Sequence, residues 1–339
     1  MKLKDSDSII KKELVGNEEK RWLEAYNKDI NDLSELDDYI EKFPDLLSIN
    51  LAGNHIKHLD HLLTWNLPQL TGIRLDQNEL DRVPDVFRFP QLGFIDISNN
   101  HIREIDELYG LDKLIRFKCS YNRISSISQL LGLTALKELD IAQNQIVSIQ
   151  GIERLVHLEK LDIGYNQIVS IKGIEYLHDL VEFSIYNNQI SDITPLSGLT
   201  KLESLALGQN CIESFRSIMK LPNLIKLSLV NNKIKKLSEE ELAFFHNFPN
   251  SKSSSVFNLN GNPLVHPFKK QIREWQTPPD EMSPEERAQY YDQQHWFCPF
   301  CGYEVSIRAA WAGEIVDQCP KCKKEIPPDA SHPKWFKPE

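Results

Sequence analysis

Apolar residues recur along most of this chain on a period of twenty-two positions, and the same polar residue closes each period. One copy reads Leu158-x-x-Leu161-x-Ile163-x-x-Asn166-x-Ile168. Asparagine returns at Asn78, Asn100, Asn122, Asn144, Asn166, Asn188, Asn210 and Asn232, with Asn54 before that run and Asn262 after it. Leu161 and Ile163 alternate with polar neighbours, as a short strand buried on one face requires. Between strands the apolar period becomes three, through Ile146, Ile149, Ile152, Leu155 and Leu158. That spacing suits 3₁₀ turns or extended chain better than an α-helix. The pattern therefore predicts an α/β solenoid, a horseshoe with a parallel sheet on its concave face and a thin convex side of 3₁₀ and extended pieces. Each asparagine amide offers two donor hydrogens and an acceptor oxygen to buried loop backbone where the chain leaves the strand. Stacked in register, such rungs tie neighbouring copies together.

The two ends depart from the period. Trp22, Leu23, Tyr26, Ile30 and Leu33 fall at spacings of three and four, which predicts an amphipathic helix within residues 18–43. Leu36, Ile40 and Phe43 predict a second short helical piece before Pro44. Together, residues 1–45 read as an N-terminal helical cap covering the first copy's apolar end and strand edge. Past Asn232, Ser238-Glu239-Glu240-Glu241 reads as a capping box opening a helix through Leu242, Phe244, Phe245 and Phe248. Residues 251–255 form a polar turn, and Phe257-x-Leu259-x-x-Asn262-Pro263-Leu264 is the final rung. A helix carrying Phe268, Ile272 and Trp275 closes the array, which spans residues 46–276. Thr277-Pro278-Pro279-Asp280 marks a boundary, and Ser283-Pro284-Glu285-Glu286 starts a helix in a connecting stretch, 277–294.

Residues 295–339 carry the chemistry. Cys298-Pro299-Phe300-Cys301-Gly302 and Cys319-Pro320-Lys321-Cys322 each place two thiolates on one tight turn. Two such turns face to face supply the tetrahedral sulfur set of structural zinc. Between them Val305, Ile307, Trp311, Ile315 and Val316 flank Ala312-Gly313, as expected of a strand–turn–strand hairpin. The expectation is a zinc ribbon with Cys298, Cys301, Cys319 and Cys322 as metal ligands and zinc as a structural cofactor. Four cysteines close the coordination shell and leave no place for a catalytic water. Disulfides and iron are the competing readings. A module this small draws much of its folding free energy from the metal. Cys119, at an inward position, and Cys211 read as ordinary packing residues, and no catalytic triad, phosphate loop or paired-carboxylate signature stands in a fitting context.

The repeat itself resembles the twenty-two-residue class of leucine-rich repeats found in regulatory subunits of protein phosphatase 1 and in bacterial internalins. The run Asp192-Ile193-Thr194-Pro195-Leu196-Ser197-Gly198-Leu199-Thr200 is especially similar to the latter. The resemblance implies a non-enzymatic protein that grips a protein partner on its concave face. Internalins are secreted, whereas the first residues here contain no apolar run of signal-peptide length.

Composition narrows the partner. The chain has 339 residues and a formal charge of −10, with 41% apolar residues, and no segment is a basic tract of the kind phosphate backbones select. Residues 295–339 carry six basic and six acidic side chains, and a tetrathiolate zinc adds about two negative charges. Nucleic acid is therefore an unfavoured partner, and no apolar stretch is long enough to span a membrane. Paired cysteines together with the missing leader predict a reducing, cytoplasmic location.

Outward strand positions are Phe94, Asp96, Arg116, Lys118, Glu138, Asp140, Lys160, Asp162, Glu182 and Lys226, with Tyr121, Tyr165 and Tyr186 on the loops beyond the strands. Aromatic residues amid charges of both signs have the composition of a protein interface. Phe94, Asp96, Lys118, Tyr121, Asp140, Asp162, Tyr165 and Tyr186 are the expected partner-binding residues. Asp140 and Asp162 stand at equivalent sites one copy apart, and that like-charge pairing points to a partner with a basic surface. The alternatives are a nucleic-acid-associated adaptor working through the ribbon and a substrate-recognition adaptor or effector of a ligase or phosphatase.

Overall fold

The computed structural model describes residues 9–15, 18–83, 89–105, 108, 111–249, 256–265, 296–297 and 304–305. The chain divides into two compact units, Met1–Ile225 and Lys226–Glu339.

The first unit opens with β1 (Ile10–Val15) and β2 (Glu18–Glu24), an antiparallel hairpin with Ile10 opposite Leu23. This corrects the amphipathic helix expected within 18–43. The physical reason is that β2 begins a degenerate copy of the array. Leu23 pairs beside Ile49 in parallel register, Ala25 donates its N–H to the Asn50 carbonyl just as Leu51 does to Arg74, and Ile30 is buried as Ile56 is. Asn27 takes the left-handed conformation that Gly53 takes one copy later, with φ of 51° and 66°. Lys28 then stands where the rung asparagine belongs, so the strand and turn keep the array's register while its signature residue is missing. The expected second helical piece is present. Asp32 and Glu35 form a capping box at a 3₁₀ turn over Leu33–Leu36, followed by α1 (Asp37–Lys42).

Seven of the following copies each give a three-residue strand: β3 (Ser48–Asn50), β4 (Gly72–Arg74), β6 (Phe94–Asp96), β8 (Arg116–Lys118), β9 (Glu138–Asp140), β10 (Lys160–Asp162) and β11 (Glu182–Ser184). β12 (Ser204–Ala206) follows β11. All pair in parallel, so Ile49, Ile73, Ile95, Phe117, Leu139, Leu161, Phe183 and Leu205 form one buried row. The return segments are 3₁₀ turns such as Ile152–Arg154 and Ile174–Tyr176, as the period of three predicts. An unanticipated second parallel pairing joins β5 (Arg82–Val83) to β7 (Glu104–Ile105) on that return side.

The rungs do what their chemistry suggests. Asn144 is buried; its Oδ1 accepts from Ile124 N at 3.0 Å, and its Nδ2 donates to the carbonyls of Cys119, Ile141 and Ala142 at 3.0, 3.1 and 3.1 Å. The same set recurs at Asn78, Asn100, Asn122, Asn166, Asn188 and Asn210. Each amide thus bonds its own turn and the preceding copy.

In the second unit β13 (Lys226–Ser228) pairs in parallel with β14 (Phe257–Asn258). Between them lies α2 (Glu239–Asn247), started by the expected capping box of Ser238 and Glu241. Phe244, Phe245 and Phe248 pack their rings around Phe257. Asn262 accepts from Ile234 N at 3.0 Å and donates to the Leu229 carbonyl. β15 (Trp296–Phe297) and β16 (Glu304–Val305) pair antiparallel. The closing helix with Phe268, Ile272 and Trp275, the helix expected from Ser283, and Cys298, Cys301, Cys319 and Cys322 lie outside the described residues.

Candidate interaction face

The outer face of the first unit's sheet carries two rows of side chains, fixed by the strand register. One row runs Trp22, Ser48, Gly72, Phe94, Arg116, Glu138, Lys160, Glu182. The other runs Glu24, Asn50, Arg74, Asp96, Lys118, Asp140, Asp162, Ser184. Because inward and outward positions alternate by the pleat, the residues that fill the core also determine which side chains reach this surface.

Within the rows most charges are already matched. The Arg116 guanidinium lies 5.6 Å from the centre of the Phe94 ring and pairs on its other side with Glu138. Lys118 reaches Glu138 at 3.1 Å, and Lys160 pairs with Glu182. Burial alone would raise the Glu138 carboxyl, but Lys118 and Arg116 hold it below the usual carboxylate range. Arg74 pairs with Asp76 at 3.2 Å; burial, and next the charge of Asp96, push Asp76 up.

Asp140 and Asp162 are the exception. They sit opposite each other on neighbouring strands, half-buried, and among the described residues neither makes an ion pair. Each spends one oxygen on its own turn: Asp140 accepts from Ala142 N at 3.2 Å and Asp162 from Gly164 N at 2.9 Å. Burial, and to a lesser degree the charge of Asp162, raise the Asp140 carboxyl above its ordinary value. These turn bonds were not anticipated, although Asn50 and Asp96 repeat them at the same row position. Asp96 itself is buried, with 8% of its surface exposed, which corrects its reading as an outward contact.

Beyond the acidic pair lies an aromatic rim. Tyr165 and Tyr186 pack with ring centres 5.3 Å apart at 41°, and Tyr165 and Tyr121 stay 42% and 56% exposed. Burial, and next its neighbour Tyr165, raise the Tyr186 hydroxyl. Tyr121 and Tyr165 hold φ of 54° and 53°, a left-handed turn position filled by glutamine or asparagine in other copies and unfavourable for a bulky side chain. Lys118, Asp140, Asp162, Tyr121, Tyr165 and Tyr186 therefore fall on one stretch of surface. Trp22 and Tyr26 join the same face through β2 and its following turn, and the sequence signal for them was the match of Leu23-x-Ala25 to Ile49-x-Leu51.

Cys119 is fully buried, which raises its thiol well above the ordinary range, and it packs as core. Among the described residues no three His, Cys, Asp or Glu side chains are grouped to hold a metal ion, and no helix is long and apolar enough to cross a membrane.

Comparison with known proteins agrees with this geometry. A family model described as leucine-rich repeats, two copies, matches residues 112–154, 134–176, 156–198 and 178–218. With the parallel-sheet solenoid, these matches make the array one of leucine-rich repeats. No curated protein matches the chain. Among solved structures, an internalin from Listeria monocytogenes is 22% identical with a TM-score of 0.59, over 75% of this chain and 78% of its own. Internalin C2 from the same organism is 22% identical with a TM-score of 0.50, over 58% of this chain and 83% of its own. A plant peptide hormone receptor, RGFR1 in complex with RGF2, is 22% identical with a TM-score of 0.53, over 65% of this chain and 36% of its own. At such identity the likeness is one of fold.

Proposed function

We propose that this chain is a non-enzymatic interaction scaffold whose repeat array binds a protein partner on the outer face of its sheet. The observation that carries the reading is the exposed Tyr165–Tyr186 pair beside Asp140 and Asp162, the two half-buried carboxylates that no neighbouring cation neutralises. Aromatic groups on a rigid sheet supply contact area at small entropic cost. The hormone-receptor structure, solved with RGF2 bound, supports binding as a use of this fold. Photo-crosslinking is the test. Benzoylphenylalanine placed at Tyr165 in the full chain should give one dominant protein adduct, and the same group at Tyr176 on the return side should give none. Adducts from position 176 alone would reject this face.

We further propose that Cys298, Cys301, Cys319 and Cys322 hold one structural zinc, and that the protein works in a reducing compartment such as the cytoplasm. In support, the residues between paired strands β15 and β16 include Cys298 and Cys301. Tetrathiolate zinc needs reduced, deprotonated cysteines and orders the chain without reacting.

A further inference from the structure

The outer face holds a second feature far from the acidic pair. Trp22 and Phe94 are half-buried aromatics at either end of a stretch of one row, and only Ser48 and Gly72 stand between them. A Cβ on Gly72 would lie 3.6 Å from Phe94 Cδ1, so glycine at that position lets the ring lie down against the sheet. The result is an apolar platform at one end of the face. Arg116 covers the far side of the Phe94 ring and is itself paired with Glu138, so the strip between platform and acidic pair is internally neutralised. An occupant crossing it has two places to gain: apolar contact at the platform and charge at Asp140 and Asp162.

The separation follows from strand order. Phe94 lies on β6 and Trp22 on β2, while the acidic pair straddles β9 and β10, with β3, β4 and β8 between. At about 4.8 Å per strand, the two features lie roughly 12–19 Å apart, which is about four to six residues of extended chain. A Lys or Arg side chain at the second point would lay its aliphatic stem along the Tyr165–Tyr186 pair and its charge beside the carboxylates.

Resting on the reading of this face as the binding surface, we propose that its occupant is an extended peptide segment. The segment runs across the strands and carries an apolar side chain and, about four to six residues away, a lysine or arginine. Charge complementarity selects the cation, since every other charge described in the two rows' central stretch is matched or buried.

The test is selection of phage-displayed random dodecapeptides on the full chain. Enriched peptides should show an apolar and a basic position at that separation under alanine scanning. Their affinity should fall about tenfold or more on Phe94→Ala, and again on Asp140→Asn with Asp162→Asn. The asparagines keep the oxygen that accepts from the turn, and an unchanged unfolding midpoint excludes a folding defect. Failure to enrich, enriched peptides without the spaced pair, or full binding to the double asparagine variant would each overturn the proposal. Peptides that crosslink at Tyr165 yet lack the spacing overturn this inference alone, whereas peptides that crosslink at Tyr176 overturn the face itself.

Discussion

Replacing Asn144 by alanine isolates what one rung contributes. Its three acceptors do not lose all their partners: Cys119 O keeps the amide of Asn122, Ile141 O keeps that of Asn166, and Ala142 O keeps the N–H of Tyr121. The Ile124 N–H has no such substitute, since Asn144 Oδ1 is its acceptor and the site is buried. One orphaned buried donor costs about 1–3 kcal/mol, and the missing amide leaves a small void, so the expected loss is about 2–4 kcal/mol. Urea unfolding of the full chain, followed by far-ultraviolet circular dichroism, measures it. The control is Gln145→Ala, an exposed neighbour whose side chain serves no rung and whose change should stay within about 0.5 kcal/mol. If Asn144→Ala shifts the midpoint no more than Gln145→Ala, the orphaned donor is being satisfied by something else and the ladder argument fails.

Other outcomes follow from the same structure. Asp140 has a folded pKa above its ordinary 3.8, so the folded chain binds that proton more tightly and loses stability as pH rises through the folded value. Asp140→Asn cannot titrate and keeps the turn acceptor. It should be the more stable protein at neutral pH, with the advantage fading below pH 3.8 in paired melts; an advantage that is constant with pH would contradict this. Gly261 has φ of 72°, and an added Cβ would lie 1.7 Å from Asn231 Oδ1; Gly261→Ala should cost at least about 1 kcal/mol in calorimetry, and a neutral change would show that this turn relaxes freely. Elemental analysis should find one zinc per chain, and chelation should make residues 295–339 protease-sensitive while the array's melting is unmoved; a metal-free preparation with a protease-resistant C-terminal region would refute the zinc site.

The strands and rungs were legible because each copy repeats one local solution, and a buried asparagine is the economical group for a turn that needs both donors and an acceptor. The first copy was hidden by the same logic. Lys28 replaces the rung, and without it Trp22, Leu23, Tyr26 and Ile30 fit a helical spacing equally well; only pairing with β3 decides for a strand. On the binding face, register placed Asp140 beside Asp162 from sequence alone, but their turn bonds could not be read there. Neither could the burial of Asp96, because these depend on how neighbouring side chains lean across the sheet. For that reason a charge reversal at Asp140 mixes two effects, and asparagine is the cleaner probe.

The rung's hydrogen bonds also have a direction. Every described asparagine that completes a set gives its oxygen to an N–H of the copy before it, so a copy depends on its successor for that bond and never on its own rung. Nothing precedes the degenerate first copy to need such an oxygen, and a lysine at that place leaves no donor stranded. At the far end the dependence is not waived: Ile234 still needs an acceptor after α2 has broken the period, and Asn262 supplies it. A ladder with this polarity tolerates a start without its signature residue and requires that residue at the finish, so recombination that appends copies is constrained at one end only.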